Sequence, residues 1–183
     1  MKATVKQPIK FSRAWAMPSK NTFSIEPIRA LLAGWWHGIS VDPFANSCGL
    51  ADMRNDIDPQ YDTHYHMDAL EFLRDKVDTG FADMVLFDPP YSPRQVSEVY
   101  KSLDMSVNMQ TTQSSFWGDI KREIARVVKH DGIVVTCGWN SGGIGEQYGF
   151  EIREILLVAH GGWHNDTIVT VERKVADQGV LFT

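Results

Sequence analysis

Met84-Val85-Leu86-Phe87-Asp88-Pro89-Pro90-Tyr91-Ser92 is the stretch that decides the fold. Its first four residues are apolar and flanked by polar ones, the pattern of a strand buried on both faces in a parallel sheet. Pro89 and Pro90 then end the ladder, because each has a fixed φ and no N–H. Asp88 is thereby placed at the carboxyl edge, where open α/β sheets bind their ligands. Pro89 also holds Asp88 extended and leaves its carbonyl free to accept. A carboxylate, a rigid turn and an aromatic face at Tyr91 fall within four residues.

That set suits a planar exocyclic amine, whose lone pair is delocalised into its ring. Two acceptors, Asp88 Oδ and the Pro89 carbonyl, hold such a nitrogen by its protons, and Tyr91 stacks on the base at about 1–3 kcal/mol. Asp88-Pro89-Pro90-Tyr91 after an apolar strand resembles the catalytic motif of the amino methyltransferases, which methylate adenine N6 or cytosine N4 with S-adenosylmethionine. The resemblance implies catalytic roles for Asp88, Pro89, Pro90 and Tyr91.

The chain has 183 residues, 43% hydrophobic and 22% charged, as expected of one globular domain spanning 1–183. No apolar run approaches the ~20 residues of a membrane span, and the N-terminus lacks the apolar stretch of a signal peptide. Cys48 and Cys137 are too few and too far apart for a disulfide framework. A reducing, cytoplasmic setting is the expectation. The net charge of −5 is unevenly spread. Residues 1–22 carry Lys2, Lys6, Lys10, Arg13 and Lys20 and no acid, whereas residues 23–88 hold four basic and twelve acidic residues. Basic character returns through Arg94, Lys101, Lys121, Arg122, Arg126 and Lys129. Such flanks suit a phosphate-bearing substrate, and equally suit solvated faces with a basic tail.

Residues 1–22 read as an irregular basic segment. Ser24 is placed as the N-cap of a helix carrying Ile25, Ile28, Leu31, Leu32 and Trp35, with Pro27 in its first turn. Strands are expected at 39–41, 52–55, 63–67 and 83–87, with a helix bearing Leu70, Phe72, Leu73 and Val77 before the last of these. A helix over 93–103 and a polar loop over 104–114 follow. Phe116, Ile120, Ile124, Val127 and Val128 mark an amphipathic helix ended by His130-Asp131-Gly132. A fifth strand at 133–137 and a terminal antiparallel pair at 151–159 and 167–173 complete the chain. The expected architecture is α/β, a doubly wound, mostly parallel sheet with an antiparallel C-terminal edge strand. That is the Rossmann-like plan of class I methyltransferases.

Asp42, Asp56 and Asp68 each follow one of the early strands and should line one side of the crevice. Val41-Asp42-Pro43-Phe44-Ala45 is similar to the family's first motif, Asn55-Asp56-Ile57 to its second and Asp68-Ala69-Leu70 to its third. Asn21-Thr22-Phe23-Ser24-Ile25 resembles the motif beside the methionine end of the cofactor. The resemblance therefore assigns S-adenosylmethionine to Phe23, Asp42, Pro43, Phe44, Ala45, Asp56, Ile57, Asp68 and Ala69. There is one departure: where the family has Gly-Ser-Gly after Phe44, this chain has Ala45-Asn46-Ser47-Cys48-Gly49. Asn46 is the residue type that best replaces a glycine at positive φ.

Only about forty residues separate Tyr91 from the strand at Ile133, too few for a domain that reads a major groove. Specificity then falls to a partner protein, a second protomer, or a structured or single-stranded target, and Ser92–Ser115 is the candidate substrate loop. Gly138, Trp139 and Asn140 are expected to close the target pocket. Cys137 reads as core, and Trp35 and Trp36 as core or pocket wall. His64, His66, His160 and His164 do not make a metal site that methyl transfer needs. The expected function is methylation of a base amine in nucleic acid, DNA adenine N6 first. A non-catalytic subunit or nucleic-acid adaptor of the same fold, and a methyltransferase for free nucleotides or other small amines, are the alternatives.

Overall fold

The computed structural model describes residues 8–90 and 114–176. Its strands are β1 (Lys10–Trp15), β2 (Ser40–Asp42), β3 (Met53–Arg54), β4 (Ala82–Phe87), β5 (Val128–Gly138), β6 (Phe150–Ala159) and β7 (Thr167–Lys174). Its helices are α1 (Glu26–Trp35), α2 (Ala69–Lys76) and α3 (Ser114–Val127). The strands form one sheet in the order β1-β6-β7-β5-β4-β2-β3. Every neighbouring pair is parallel except the two that β7 makes.

The apolar run of β4 is explained by burial on both faces. Met84 and Leu86 point to the α1 side, where they pack with Ile28 and Leu32 of α1 and with Ile133 and Val135 of β5. Val85 and Phe87 point to the other side, against Phe72 and Leu73 of α2 and Ile120 and Ile124 of α3. Chain direction through the sheet reverses at β2, which lies between β3 and β4. The ends of β2 and β4 therefore flank the switch point, and Asp42 and Asp88 sit there.

Several expectations are corrected. Residues 10–15 are not irregular but form β1, which pairs parallel to β6 from Lys10↔Glu154 to Trp15↔Ala159. The strand was hidden by its alternation of exposed and half-buried residues and by its charge, both normal for an edge. The third strand at 63–67 shrinks to a single bridge, Asn55↔Tyr65. The Asn55 side chain does the joining instead. Its Nδ2 donates to the carbonyls of Pro43 (3.1 Å) and Met67 (3.0 Å), and its Oδ1 accepts from Met67 N–H (3.0 Å). Ser24 does not cap α1: its hydroxyl turns back to the Asn21 carbonyl at 2.6 Å, and Ile25 occupies the cap without a side-chain bond. The antiparallel strand is not the edge. β7 returns between β6 and β5, and β1 lies outside β6. The helix expected over 93–103, Tyr91 and the loop expected over 104–114 lie outside the described residues, except that Ser114 begins α3.

Among the described residues, no helix is long and apolar enough to cross a membrane.

Candidate functional site

Asp42 ends β2 completely buried, at 0% exposure. Its Oδ1 accepts from Phe44 N–H at 2.9 Å, while its Oδ2 is buried with no hydrogen-bond partner among the described residues. Burial pushes its pKa well above the ordinary carboxylate range. The hydrogen bond from Phe44 N–H opposes this, Asp88 and then Asp56 raise it further by smaller amounts, and Arg54 lowers it least. A buried carboxylate with one orphaned oxygen beside two other carboxylates is costly, and a donor or cation brought to it is correspondingly favoured.

The loop after β2 is shaped by Asn46, at φ 49° one of two non-glycine residues with positive φ among those described. The left-handed turn that glycine serves elsewhere is thus made by asparagine. Asn46 N–H donates to Asp56 Oδ2 at 2.8 Å, and its own Oδ1 accepts from Ser47 N–H at 2.6 Å. Ala45 N–H donates to the Asn55 carbonyl at 2.9 Å, and Cys48 N–H to the Ala45 carbonyl at 2.7 Å. Asp56 also accepts from Asp58 N–H at 2.9 Å, and burial raises its pKa in spite of both bonds. Asp42, Asp56 and the loop between them are therefore one hydrogen-bonded unit. Pro43 gives its carbonyl to Asn55, and Phe44 tilts against Phe87 and Trp117 at 5.9 and 6.4 Å between ring centroids. Ile57 is half-buried beside Asp56.

Two sequence-derived cofactor residues stand differently. Asp68 is the N-cap of α2, its Oδ1 accepting from Leu70 N–H (2.9 Å) and Glu71 N–H (3.4 Å), and Ala69 is buried behind it. Asp68 is not among the charges that act on Asp42. Phe23 is a core residue, packed in the α1-side cluster with Cys48 and Ala51. It supports the loop from behind.

On the other side of Asp88 opens a cleft of about 210 Å³, lined by Phe87, Pro89, Pro90, Trp117, Trp139 and Asn140. Thr136 and Gly138 of β5 also line it. Thr136 Oγ1 is buried with no hydrogen-bond partner among the described residues. Gly138, Trp139 and Asn140, the stretch expected to close a target pocket, all line this cleft. Cys137 is buried, and burial, then Asp88 and Asp42, push its thiol well up, so it remains a neutral core group.

Sequence reasoning missed the support behind this cleft. Lys121 on α3 lines it, donates to the Gly143 carbonyl, and has its pKa lowered by burial. Glu172 on β7 is wholly buried and accepts from Ile144 N–H (2.6 Å) and Gly145 N–H (2.9 Å). Gly143 has φ +50°, and a Cβ there would overlap the Glu172 carboxylate. An acid directly after Ile168-Val169-Thr170-Val171, in a chain that also offers a Gly142-Gly143 pair, was the available signal.

The histidines have structural partners. His64 Nδ1 accepts from Arg54 N–H at 3.1 Å. His160 is buried between the Ala16 carbonyl and Thr167 Oγ1, 2.8 Å from each.

Strand order, the single antiparallel strand and helices on both faces define a class I methyltransferase-like, Rossmann-like fold. No family model matches the sequence, and no curated protein matches it. Among solved structures it is similar to TrmN from Thermus thermophilus, with TM-score 0.54 and 18% identity over 82% of this chain and 49% of that one. It is also similar to NSun6 from Pyrococcus horikoshii with SFG, with TM-score 0.50 and 13% identity over 76% of this chain and 48% of that one. The chain spans about half the length of both.

Proposed function

We propose that the chain is an S-adenosylmethionine-dependent methyltransferase acting on the exocyclic amine of a nucleic-acid base, adenine N6 of DNA ahead of cytosine N4. The observation that carries this reading is the orphaned Asp42 Oδ2 at the switch point, with Asp88 acting on the same buried group. An uncompensated buried carboxylate fits the ammonium or another donor of a cationic cofactor. The Asp56 carboxylate, already turned toward the Asn46 loop, suits ribose hydroxyls. S-adenosylmethionine, when bound, supplies an electrophilic methyl group.

The target side follows from the Asp88 turn. Its cleft of about 210 Å³ has room for a planar heterocycle. Asp88 and the Pro89 carbonyl accept from the amine protons, which directs the nitrogen lone pair out of the ring plane. Thr136 Oγ1 offers the base edge a polar partner. Tyr91 completes the motif in the sequence. The catalytic contribution is positioning and electrostatics, so no strong general base is needed. The spare amine proton leaves through Asp88 to solvent after transfer.

The test is calorimetric titration with S-adenosylmethionine and its demethylated product, followed by transfer of labelled methyl to adenine-containing DNA. Micromolar binding with transfer supports the reading. No binding up to millimolar cofactor refutes it.

A further inference from the structure

We propose that the face of β1 and β6 turned away from α1, with the β6–β7 turn, is a stacking platform for an unpaired DNA strand leading into the Asp88 cleft. This inference rests on the methyltransferase reading for its purpose. The platform itself rests on sheet geometry. Ala14 of β1 and Leu156 and Val158 of β6 pack on the α1 side. By alternation, Phe11, Arg13 and Trp15 on β1 and Ile155 and Leu157 on β6 face the other way. Phe11 and Trp15 are 66% and 65% exposed, and Ile155 and Leu157 are half-buried.

Register connects this shelf to the cleft. Phe11 pairs with Ile155, Ile155 with Thr170 and Thr170 with Thr136. Arg13 pairs with Leu157, Leu157 with Ile168 and Ile168 with Gly138. Thr136 and Gly138 line the cleft; the Phe11 row is covered where Thr170 is fully buried, while the Arg13 row, through half-buried Leu157 and Ile168, runs outward across four strands, about 14 Å at the usual strand spacing. At the carboxyl end, the β6–β7 turn presents Trp163 fully exposed, and the Trp15 indole lies against Gly161 of that turn.

Charge and ring chemistry choose the occupant. Arg13 supplies a cation on this face, within residues 1–22 that hold five cations and no acid and of which Lys10 pairs with Glu154 on the α1 side. Phe11, Arg13 and Trp15 alternate ring, guanidinium and ring along one strand face. Aromatics on an open sheet stack successive unpaired bases, while an interleaved cation meets the phosphates. An unpaired strand also suits the short interval between Tyr91 and Ile133.

The experiment measures binding of a dye-labelled DNA strand of about twelve nucleotides, its duplex and the RNA of the same sequence, by anisotropy. S-adenosylhomocysteine binding is measured in parallel by calorimetry. Trp15→Ala with Trp163→Ala is expected to weaken single-strand binding at least about tenfold with cofactor-product binding unchanged. Arg13→Ala, a change at an exposed edge position, is expected to weaken it severalfold and reduce the salt slope by about one. Single-strand affinity within twofold of the parent in both variants overturns the platform. So does a preference of the parent protein for duplex, or for RNA over DNA by more than tenfold. Strand binding without any cofactor-product binding would leave the platform standing and sink the methyltransferase reading alone.

Discussion

Asp42→Asn should make the free protein more stable and the cofactor complex weaker, with the stability gain growing as pH rises. Asparagine is isosteric and keeps an oxygen for Phe44 N–H, now bonded to Asp42 Oδ1 at 2.9 Å. It replaces the orphaned Oδ2 with a neutral donor next to the carboxylates of Asp56 and Asp88, both of which now destabilise a charged Asp42. Relieving one unsatisfied buried acceptor is worth about 1–2 kcal/mol. For a chain of this length that corresponds to ~2–8 °C in Tm. The pH dependence has a definite sign. Burial raises the folded pKa above the ordinary 3.8, so the folded state holds the Asp42 proton more tightly than the unfolded state does. The parent protein therefore loses stability as pH rises from about 3.8 through the raised value, and the asparagine variant does not. Thermal melts of both proteins, taken across that range, should coincide at the acid end and separate above it. Calorimetry should show S-adenosylmethionine binding reduced at least about tenfold in the variant, the loss expected of a charged hydrogen bond. A variant less stable than the parent at neutral pH, or one that binds cofactor equally well, would refute the reasoning.

Asp88→Ala should abolish methyl transfer while cofactor affinity stays within severalfold, because Asp88 stands between Phe87 and Pro89, which line the cleft proposed for the base, and parallel loss of both in calorimetry and transfer assays would contradict that role. Gly143→Ala forces a Cβ into the Glu172 carboxylate at φ +50°, which should release the Ile144 and Gly145 N–H groups. A left-handed alanine costs about 1–2 kcal/mol and the broken bonds roughly as much again, to be read from urea unfolding. Asn46→Gly should be tolerated within about 1 kcal/mol, since the position already stands at φ 49°, whereas Asn46→Val should lose cofactor binding and stability together. Equal melting temperatures for the two Asn46 variants would show that the left-handed turn is not what the residue supplies.

How far the sequence could be read depended on what each residue's burial reported. β4 was plain because Met84, Val85, Leu86 and Phe87 are covered on both sides, and two prolines mark its end. β1 was obscure for the opposite reason. With one ladder partner and one face open, Lys10–Trp15 keeps charges that a buried strand could not carry. The strand expected at 63–67 failed because polar alternation looks the same whether the backbone pairs or a side chain substitutes for pairing, as Asn55 does. The three acids read alike in the sequence but stand differently in the fold. Asp42 and Asp56 join through the Asn46 loop, while Asp68 uses one oxygen to cap α2, a role its sequence context fitted equally well. Trp117 and Lys121 were invisible as site residues: helical spacing shows that α3 has a buried face, not which residues of that face border the cleft.

The same geometry ties ligand binding to stability. Asp56 and Asp88 both raise the cost of a charged Asp42 in the crevice. β4 and β2 can hold them there because the sheet around them is packed on both faces, so local repulsion cannot splay the strand ends. A cation entering the crevice removes that repulsion only in the folded state. Its stabilisation then grows with ligand concentration over Kd, by about 2.7 kcal/mol at a hundredfold excess. Asp42→Asn lowers the starting strain and the affinity together. Its ligand-induced Tm shift should therefore be smaller than the parent's, although its free form melts higher. A crevice built only to complete the fold would give the variant the higher melting temperature with and without ligand, and no shift in either protein.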